Sequence, residues 1–201
     1  MEWLQQILDA LFPPRETELL VRHADSEILL ARMEIRTVFE IVTLLPYQDP
    51  LVRACIVESK FHANKKAQGM LAQVLEEYLL VFESEENALG TATLIPIPLA
   101  PKRLQERGYN QVEEILRLTQ TEIRVAPHLL SRIRDTTPQT KLGGVARHEN
   151  MAGAFTALHV DTDDTYIVVD DVTTTGATLT DAKRALQESG VQSVVLLALA
   201  H

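Results

Sequence analysis

The segment of residues 166–178 constrains this chain more than any other part of its sequence. It opens with an unbroken apolar run, 166–169, which predicts a fully buried β-strand. Two adjacent acids, Asp170 and Asp171, follow directly. A threonine-rich turn with one glycine comes next, and a helix is predicted from Ala177. A buried strand that leads through a polar turn into a helix is typical of a parallel sheet covered on both faces, so we predict an α/β fold.

The residue types in this turn suggest phosphate binding. The first amides of a helix have no intrahelical partners and carry the positive end of its dipole, so with threonine hydroxyls they can hold a phosphate ester. Gly176 is expected to let the backbone approach that ligand closely. Carboxylates only accept hydrogen bonds, so Asp170 and Asp171 are expected to face sugar hydroxyls or a hard cation such as Mg²⁺. Together these groups describe a ribose 5-phosphate that carries a further polyphosphate.

The segment 166–178 also has features of other nucleotide-binding motifs. An apolar strand that ends in two acids also occurs in P-loop nucleotidases, but the chain has no G-x-x-x-x-G-K-[ST] sequence. It also has no G-x-G-x-x-G after a strand, which removes the usual dinucleotide fingerprint. A plain helix cap with two solvated acids stays open as the structural alternative.

Hydrophobic periodicity divides the chain into two parts. Residues 1–50 are predicted to form a mostly helical extension, with a strand at 37–45, and residues 51–201 the main domain. The predicted helices are 1–12, 27–36, 51–61, 65–82, 109–119 and 177–189. The predicted strands are 37–45, 92–96, 123–125, 128–133, 166–169 and 193–200. Residues 134–150 are polar, basic and glycine-bearing, and predict a long mobile loop.

Charge is unevenly distributed along the chain. The net charge of −9 argues against a protein that holds nucleic acid by bulk electrostatics. Residues 101–148 nevertheless carry a net charge of +4, between acidic flanks of −7 and −6. A basic segment in this position suggests contact with an anion or a polyphosphate, and a solvated charged surface is the alternative.

The cellular setting follows from what the sequence lacks. No apolar run reaches the roughly 18 residues of a membrane-spanning helix, and residues 1–11 lack the basic flank of a signal peptide. A single cysteine, Cys55, excludes an internal disulfide. We therefore expect a cytoplasmic protein without membrane contact.

Several motifs carry a resemblance to a known family. Segment 166–178 resembles the phosphoribosyl pyrophosphate motif of type I phosphoribosyltransferases. Further motifs, in the same order, are similar to the ComF family of that superfamily; they lie at 95–98, 102–104, 106–111, 130–139, 147–150 and 153–155. Lys60-Phe61-His62 also matches a lysine–aromatic–histidine pattern of the family, with an ordinary basic helix end as the alternative. The similarity covers about residues 60–201.

The resemblance implies a type I phosphoribosyltransferase fold and transfer of a phosphoribosyl group from phosphoribosyl pyrophosphate, with Mg²⁺, to an acceptor that the sequence leaves open. It implies that Asp170 and Asp171 engage the ribose hydroxyls and support the metal. It places the 5-phosphate among Thr173, Thr174, Thr175, Gly176, Ala177 and Thr178. It assigns Lys102, Arg103 and Arg107, in the loop 98–110, to the pyrophosphate, and Arg134, Lys141 and Arg147 to a mobile loop over the site.

The sequence departs from the family near its start. Glu16-Thr17-Glu18 stands where family members commonly carry zinc-binding cysteine pairs, so no structural zinc is expected and residues 1–50 should be stabilised by packing alone.

The rival function is a non-catalytic module that senses phosphoribosyl pyrophosphate or docks a protein in DNA uptake or regulation. Direct nucleic-acid binding is not expected, and a homodimer or a competence-machinery partner stays open.

Overall fold

The computed structural model describes residues 9, 13–86, 92–133, 153–158 and 160–201. The helices are α1 (Glu16–His23), α2 (Ser26–Leu30), α3 (Pro50–His62), α4 (Lys65–Glu86), α5 (Pro101–Arg107), α6 (Gln111–Leu118) and α7 (Ala177–Glu188). The strands are β1 (Arg36–Val38), β2 (Ile41–Leu45), β3 (Ala92–Pro96), β4 (Arg124–Val125), β5 (Leu130–Arg132), β6 (Phe155–Ala157), β7 (Thr165–Val172) and β8 (Ser193–Ala200).

A six-stranded sheet forms the centre of the described part of the chain, in the order β1-β2-β8-β7-β3-β4. β1 pairs antiparallel with β2, and every other neighbouring pair in this sheet is parallel. β7 lies between β3 and β8, where Ile167 is in register with Leu94 on one side and Val195 on the other. The predicted α/β class with a mostly parallel sheet is therefore confirmed.

Alternate side chains of β7 pack on opposite faces of the sheet, as the two-residue period of a strand requires. Ile167 and Val169 join the larger apolar core, together with residues of α3, α4 and α6. Tyr166 and Val168 join a second core, together with residues of α7 and of the small β5–β6 sheet. Helices thus cover both faces, and the polar end of β7 is left at one edge.

The N-terminal part differs from the prediction in three elements, the first of which is helix α1, where the sequence predicts no helix. The helix predicted at 27–36 ends at Leu30, and the strand predicted at 37–45 is a hairpin that turns at Phe39 and Glu40. Both turn residues have positive φ, 51° and 64°, as a two-residue hairpin turn of type I′ demands. Neither residue is a glycine or an asparagine, so this turn carries no recognisable signal in the sequence. The domain boundary at residue 50 stays a prediction, although β2 belongs to the same sheet as β8.

Helix α1 is attached to α3 by a buried carboxylate. Glu58 is fully buried and accepts hydrogen bonds from Arg15 Nε at 3.0 Å and Arg15 Nη2 at 2.9 Å. Thr17 Oγ1 donates to the same carboxylate at 2.7 Å, and Asn64 Nδ2 donates at 3.4 Å. Burial alone would raise the pKa of Glu58, but these hydrogen bonds outweigh it and lower the pKa to about 2. Arg15 and Thr17, at or beside the positions where cysteines are missing, thus contact the buried carboxylate of Glu58. This ion pair adds to the packing that was expected to stabilise residues 1–50.

Among the described residues, no helix is both long enough and apolar enough to cross a lipid bilayer.

Candidate functional site

The candidate site lies at the carboxyl edge of the parallel strands. β7 ends there in Asp170, Asp171 and Val172, between the ends of β3 and β8. Open parallel sheets bind their ligands at this edge. The loops that follow β3 and β7 and the C-terminal end of α3 supply the surrounding side chains.

Asp171 is held by two side chains from different helices. The residue is 4% exposed. Its carboxylate lies 3.0 Å from Lys60 Nζ of α3 and accepts a hydrogen bond of 2.9 Å from Gln111 Nε2 of α6. The backbone N–H of Val172 also donates to it, at 2.9 Å. Lys60, which the sequence placed either at the site or at an ordinary helix end, therefore lies at the site.

Asp170 has a different environment. Residues two apart on a strand share a face, so Asp170 leaves β7 on the same side as Tyr166 and Val168, which is the side covered by α7. It is half-buried, and its Oδ1 accepts from the backbone N–H of Asp171 at 2.8 Å. Burial, and then the negative charge of Asp171, raise the pKa of Asp170 to about 7. The two acids thus leave β7 on alternate sides of the strand, but their carboxyl groups still interact with each other.

Arg107 is connected to Asp171 through Gln111. Its guanidinium donates to Gln111 Oε1 and lies 5.4 Å from the centre of the Phe61 ring. Because a guanidinium only donates and a carboxylate only accepts, these two partners fix the orientation of the Gln111 amide. Burial lowers the pKa of Arg107, while the charge of Asp171 opposes that shift.

The segment 98–110, predicted as a loop, contains helix α5. Pro101 begins this helix, and Gly108 ends it in the left-handed conformation with φ of 79°. Tyr109 then anchors the chain to α3, since its hydroxyl donates to the Ser59 carbonyl at 2.7 Å and accepts from the Ala63 N–H at 2.9 Å. Asn110 caps α6 by accepting from the Val112 N–H. These contacts bring Arg107 and Gln111 to the end of β7.

Two cavities meet at Lys60 and Phe61. The first, about 590 Å³, is lined by Lys60, Phe61, Arg103, Glu106 and Arg107, and we call it the basic cavity. It contains two of the three cations predicted to bind pyrophosphate. The third, Lys102, is exposed; it does not line this cavity, and its ammonium lies 4.0 Å from Glu106.

The second cavity, about 640 Å³, lies on the other side of Lys60. Its lining includes Thr173 and Thr174 of the predicted phosphate turn, Tyr47 after β2, and His201 after β8. The structure thus places part of the threonine turn and part of the basic segment at adjoining cavities. Asp171 lines neither of the two.

The threonine turn leads into α7 as predicted, and no side chain caps the first turn of that helix. Gly176 adopts φ of 76°, and it also packs closely against β2. A Cβ at this position would lie 2.7 Å from Ile41 Cδ1 of β2. Gly176 therefore serves the packing of the turn against β2, and a larger residue at this position would strain the fold.

Arg134, Lys141 and Arg147, predicted for a mobile loop, lie outside the described residues. The chain after that loop is attached to α7: the backbone N–H groups of Gly153, Ala154 and Phe155 donate to the buried Asp181 at 2.9, 2.8 and 3.3 Å. Sequence reasoning did not find Asp181, because an acid inside a helix carries no signal for such a contact.

A resident metal ion would need several ligating side chains close together at the site. The described residues contain no group of three or more His, Cys, Asp or Glu side chains that could hold one. Asp171 already pairs with Lys60 at 3.0 Å. These side chains do not fit a resident Mg²⁺, and any such ion would have to arrive with ligands of its own.

The chain is similar to proteins named for competence and for DNA utilization. No protein-family model matches it. Competence protein F of Haemophilus influenzae is 30% identical over 113 residues, which make up 54% of this chain and 49% of that protein. DNA utilization protein YhgH of Salmonella typhimurium is 25% identical over 162 residues, 77% of this chain and 68% of that protein.

The matched part of the chain spans about half the length of the Haemophilus protein. The YhgH protein of Salmonella typhi matches with the same identity and coverage as its Salmonella typhimurium counterpart. These similarities support the assignment to the ComF family that the sequence motifs indicated.

Proposed function

We propose that this chain has the type I phosphoribosyltransferase fold, binds phosphoribosyl pyrophosphate as its Mg²⁺ complex at the carboxyl edge of the sheet, and transfers the phosphoribosyl group to an acceptor with release of pyrophosphate. The observation that carries the proposal is the meeting of two cavities at Lys60. One is basic and the other borders the threonine turn, and Lys60, which lines both, pairs with Asp171 at the end of β7.

Each part of such a substrate has a matching group in this arrangement. Arg103 and Arg107 of the basic cavity suit the pyrophosphate. The uncapped first turn of α7, with its threonine hydroxyls, suits the 5-phosphate. The ribose between them carries hydroxyls that donate hydrogen bonds, and Asp170 is half-buried at the end of β7 to accept them. The metal is part of the substrate complex, in keeping with the lack of a resident site.

The transfer needs fixed positive charge at the leaving group. When the bond from the ribose C1 to pyrophosphate breaks, negative charge accumulates on the pyrophosphate and positive charge on the sugar. Guanidinium groups held in place before the reaction stabilise the leaving group without reorganising. Arg107 suits this role, since Phe61 and Gln111 hold its side chain.

A second candidate function is favoured by the names of the relatives. Competence protein F and DNA utilization protein YhgH are named for the uptake or use of DNA. In this candidate the chain binds the same ligand without turnover and acts as a sensing or docking module for DNA uptake. Both candidates require the ligand site and differ in whether pyrophosphate is released.

Calorimetric titration with Mg²⁺–phosphoribosyl pyrophosphate tests ligand binding. We expect 1:1 binding that weakens about tenfold in Arg103→Gln, because one charge-assisted contact is lost. The matched control is Lys102→Gln, which removes the neighbouring charge outside the basic cavity and should change the affinity less than about twofold. Absence of binding by the folded wild-type protein would contradict both candidates.

Pyrophosphate release then separates the two candidates. The bound complex is incubated with a panel of nucleobases and other nitrogen heterocycles, and released pyrophosphate is measured. Release that depends on one acceptor supports transfer, whereas binding without release for every acceptor supports the non-catalytic module.

A further inference from the structure

Lys60 and Arg107, two of the cations that line the basic cavity, are connected to one carboxylate. Lys60 pairs directly with Asp171 at 3.0 Å. Arg107 donates to Gln111, which in turn donates to Asp171 at 2.9 Å. Arg103, the other cation on the wall, is exposed. Asp171 is therefore common to the two half-buried cations, which come from α3 and α5.

Asp171 has little capacity left for a ligand. The residue is 4% exposed and lines neither cavity. Its Oδ2 accepts from Gln111 and lies 3.0 Å from Lys60 Nζ, and its Oδ1 accepts from the Val172 N–H and, at 3.4 Å, from Lys60. A carboxylate has about four acceptor positions, and three of those on Asp171 are filled by the protein. Asp170, by contrast, is half-buried.

We propose that Asp171 is a positioning residue of the basic cavity, which holds Lys60 and Arg107 in place to bind the pyrophosphate group, and that Asp170 alone of the two acids contacts the ligand. The proposal rests on the anion binding proposed above and assigns the two acids different roles. Lysine and arginine side chains lose rotamer freedom when an anion orders them. Cations that are already fixed avoid that cost, so the carboxylate strengthens anion binding although its charge opposes it.

The proposal predicts an effect of opposite sign to simple electrostatics. Removing a negative charge beside an anion site should strengthen anion binding, because the local potential becomes more positive. If Asp171 positions the cations, Asp171→Asn should instead weaken it. The matched control is Glu106→Gln, since Glu106 lines the same cavity, is exposed, and is not connected to Lys60 or Arg107 by any contact found among the described residues.

The test is calorimetric titration of the full chain with inorganic pyrophosphate. We expect Asp171→Asn to weaken binding about tenfold and Glu106→Gln to strengthen it about twofold. Gln111→Met leaves the net charge unchanged and breaks the connection to Arg107, so it should weaken binding about threefold. In the Asp171→Asn background, Gln111→Met should add almost nothing, a non-additivity that a general loss of stability does not produce.

Several results would overturn the proposal or separate it from the proposed function. Pyrophosphate binding that is stronger in Asp171→Asn, or additive effects of Asp171→Asn and Gln111→Met, shows that Asp171 does not position the cations. Should Asp171→Asn fail to fold, Gln111→Met alone carries the test, because it keeps every charge of the cavity, and unchanged pyrophosphate binding in that variant would overturn the proposal. A wild-type protein that binds pyrophosphate with this pattern but does not bind phosphoribosyl pyrophosphate retains the positioning role and loses the proposed function. Failure to bind either compound contradicts both.

Discussion

At the residue scale, the end of β7 illustrates how two identical side chains acquire different properties. Consecutive residues of a strand point to opposite faces, so Asp171 reaches Lys60 and Gln111 while Asp170 does not. Asp170 is left with partial burial and a negative neighbour, and its pKa rises to about 7. When Asp170 is ionised, its burial and its negative neighbour lower the stability of the unliganded protein, as is common for functional groups.

Asp170→Asn should therefore stabilise the protein at high pH. The raised pKa means that the folded state binds a proton more tightly than the unfolded state, so stability falls as pH rises from about 4 to about 7. Replacing the acid by the neutral amide should raise the free energy of unfolding by about 1–2 kcal/mol at pH 8 and change it little near pH 4. Urea denaturation of both proteins at the two pH values measures this difference. An equal effect at both would argue against a raised pKa.

Gly176→Ala should destabilise the fold through its contact with Ile41. The substitution places a Cβ 2.7 Å from Ile41 Cδ1 and forces alanine into positive φ. We expect a loss of about 2 kcal/mol in the free energy of unfolding. Ile41→Val removes the clashing methyl group, so Gly176→Ala should cost about 1 kcal/mol less in that background. A double-mutant cycle by chemical denaturation measures the difference, and strict additivity would show that Ile41 is not the cause.

At the element scale, the attachment of α1 to α3 depends on Glu58. The two helices meet through a fully buried carboxylate that accepts from Arg15 and Thr17. Breaking a buried pair by removing one charge is costly, because the other charge is left without its partner. Arg15 is partly exposed, which moderates this cost.

Glu58→Gln should lower stability at neutral pH but not in strong acid. The pKa of Glu58 is lowered to about 2, so its stabilising effect is fully present above about pH 4.5 and is lost as pH falls toward 2. We expect a loss of about 2 kcal/mol at pH 7. Thermal denaturation of both proteins from pH 2 to pH 7 tests this, with Glu16→Gln as an exposed acid on α1 for comparison. Parallel curves for Glu58→Gln and the wild type would contradict the assignment.

The elements with strong periodicity were predictable from sequence, and those made by local exceptions were not. The strands 92–96 and 193–200 have the predicted bounds because their apolar runs are continuous. Asn110 opens α6 as predicted, since its side chain has the chemistry of a cap. The β1–β2 hairpin was missed because Phe39 and Glu40 are unusual at positive φ. Helix α5 was missed because four charged residues and one leucine do not form an apolar stripe.

At the scale of the whole molecule, the sequence indicates which residues carry chemistry better than it indicates how they are connected. The acids, the threonine turn and two of the predicted cations lie at one edge of the sheet because parallel strands end together. Gln111 lies in the family motif at 106–111. Its contact with Arg107 is local, but its hydrogen bond to Asp171 joins residues that are 60 positions apart in the chain. Such contacts depend on the tertiary arrangement of α3, α5 and α6 around β7, which periodicity does not encode.

The structure of the protein in complex with Mg²⁺ and phosphoribosyl pyrophosphate tests the central claim most directly. The account predicts the pyrophosphate group beside Arg103 and Arg107 and the 5-phosphate on the amides of the threonine turn. It predicts the ribose hydroxyls within hydrogen-bond distance of Asp170. A ligand bound away from the end of β7, or a complex that does not form at millimolar ligand, would contradict the account.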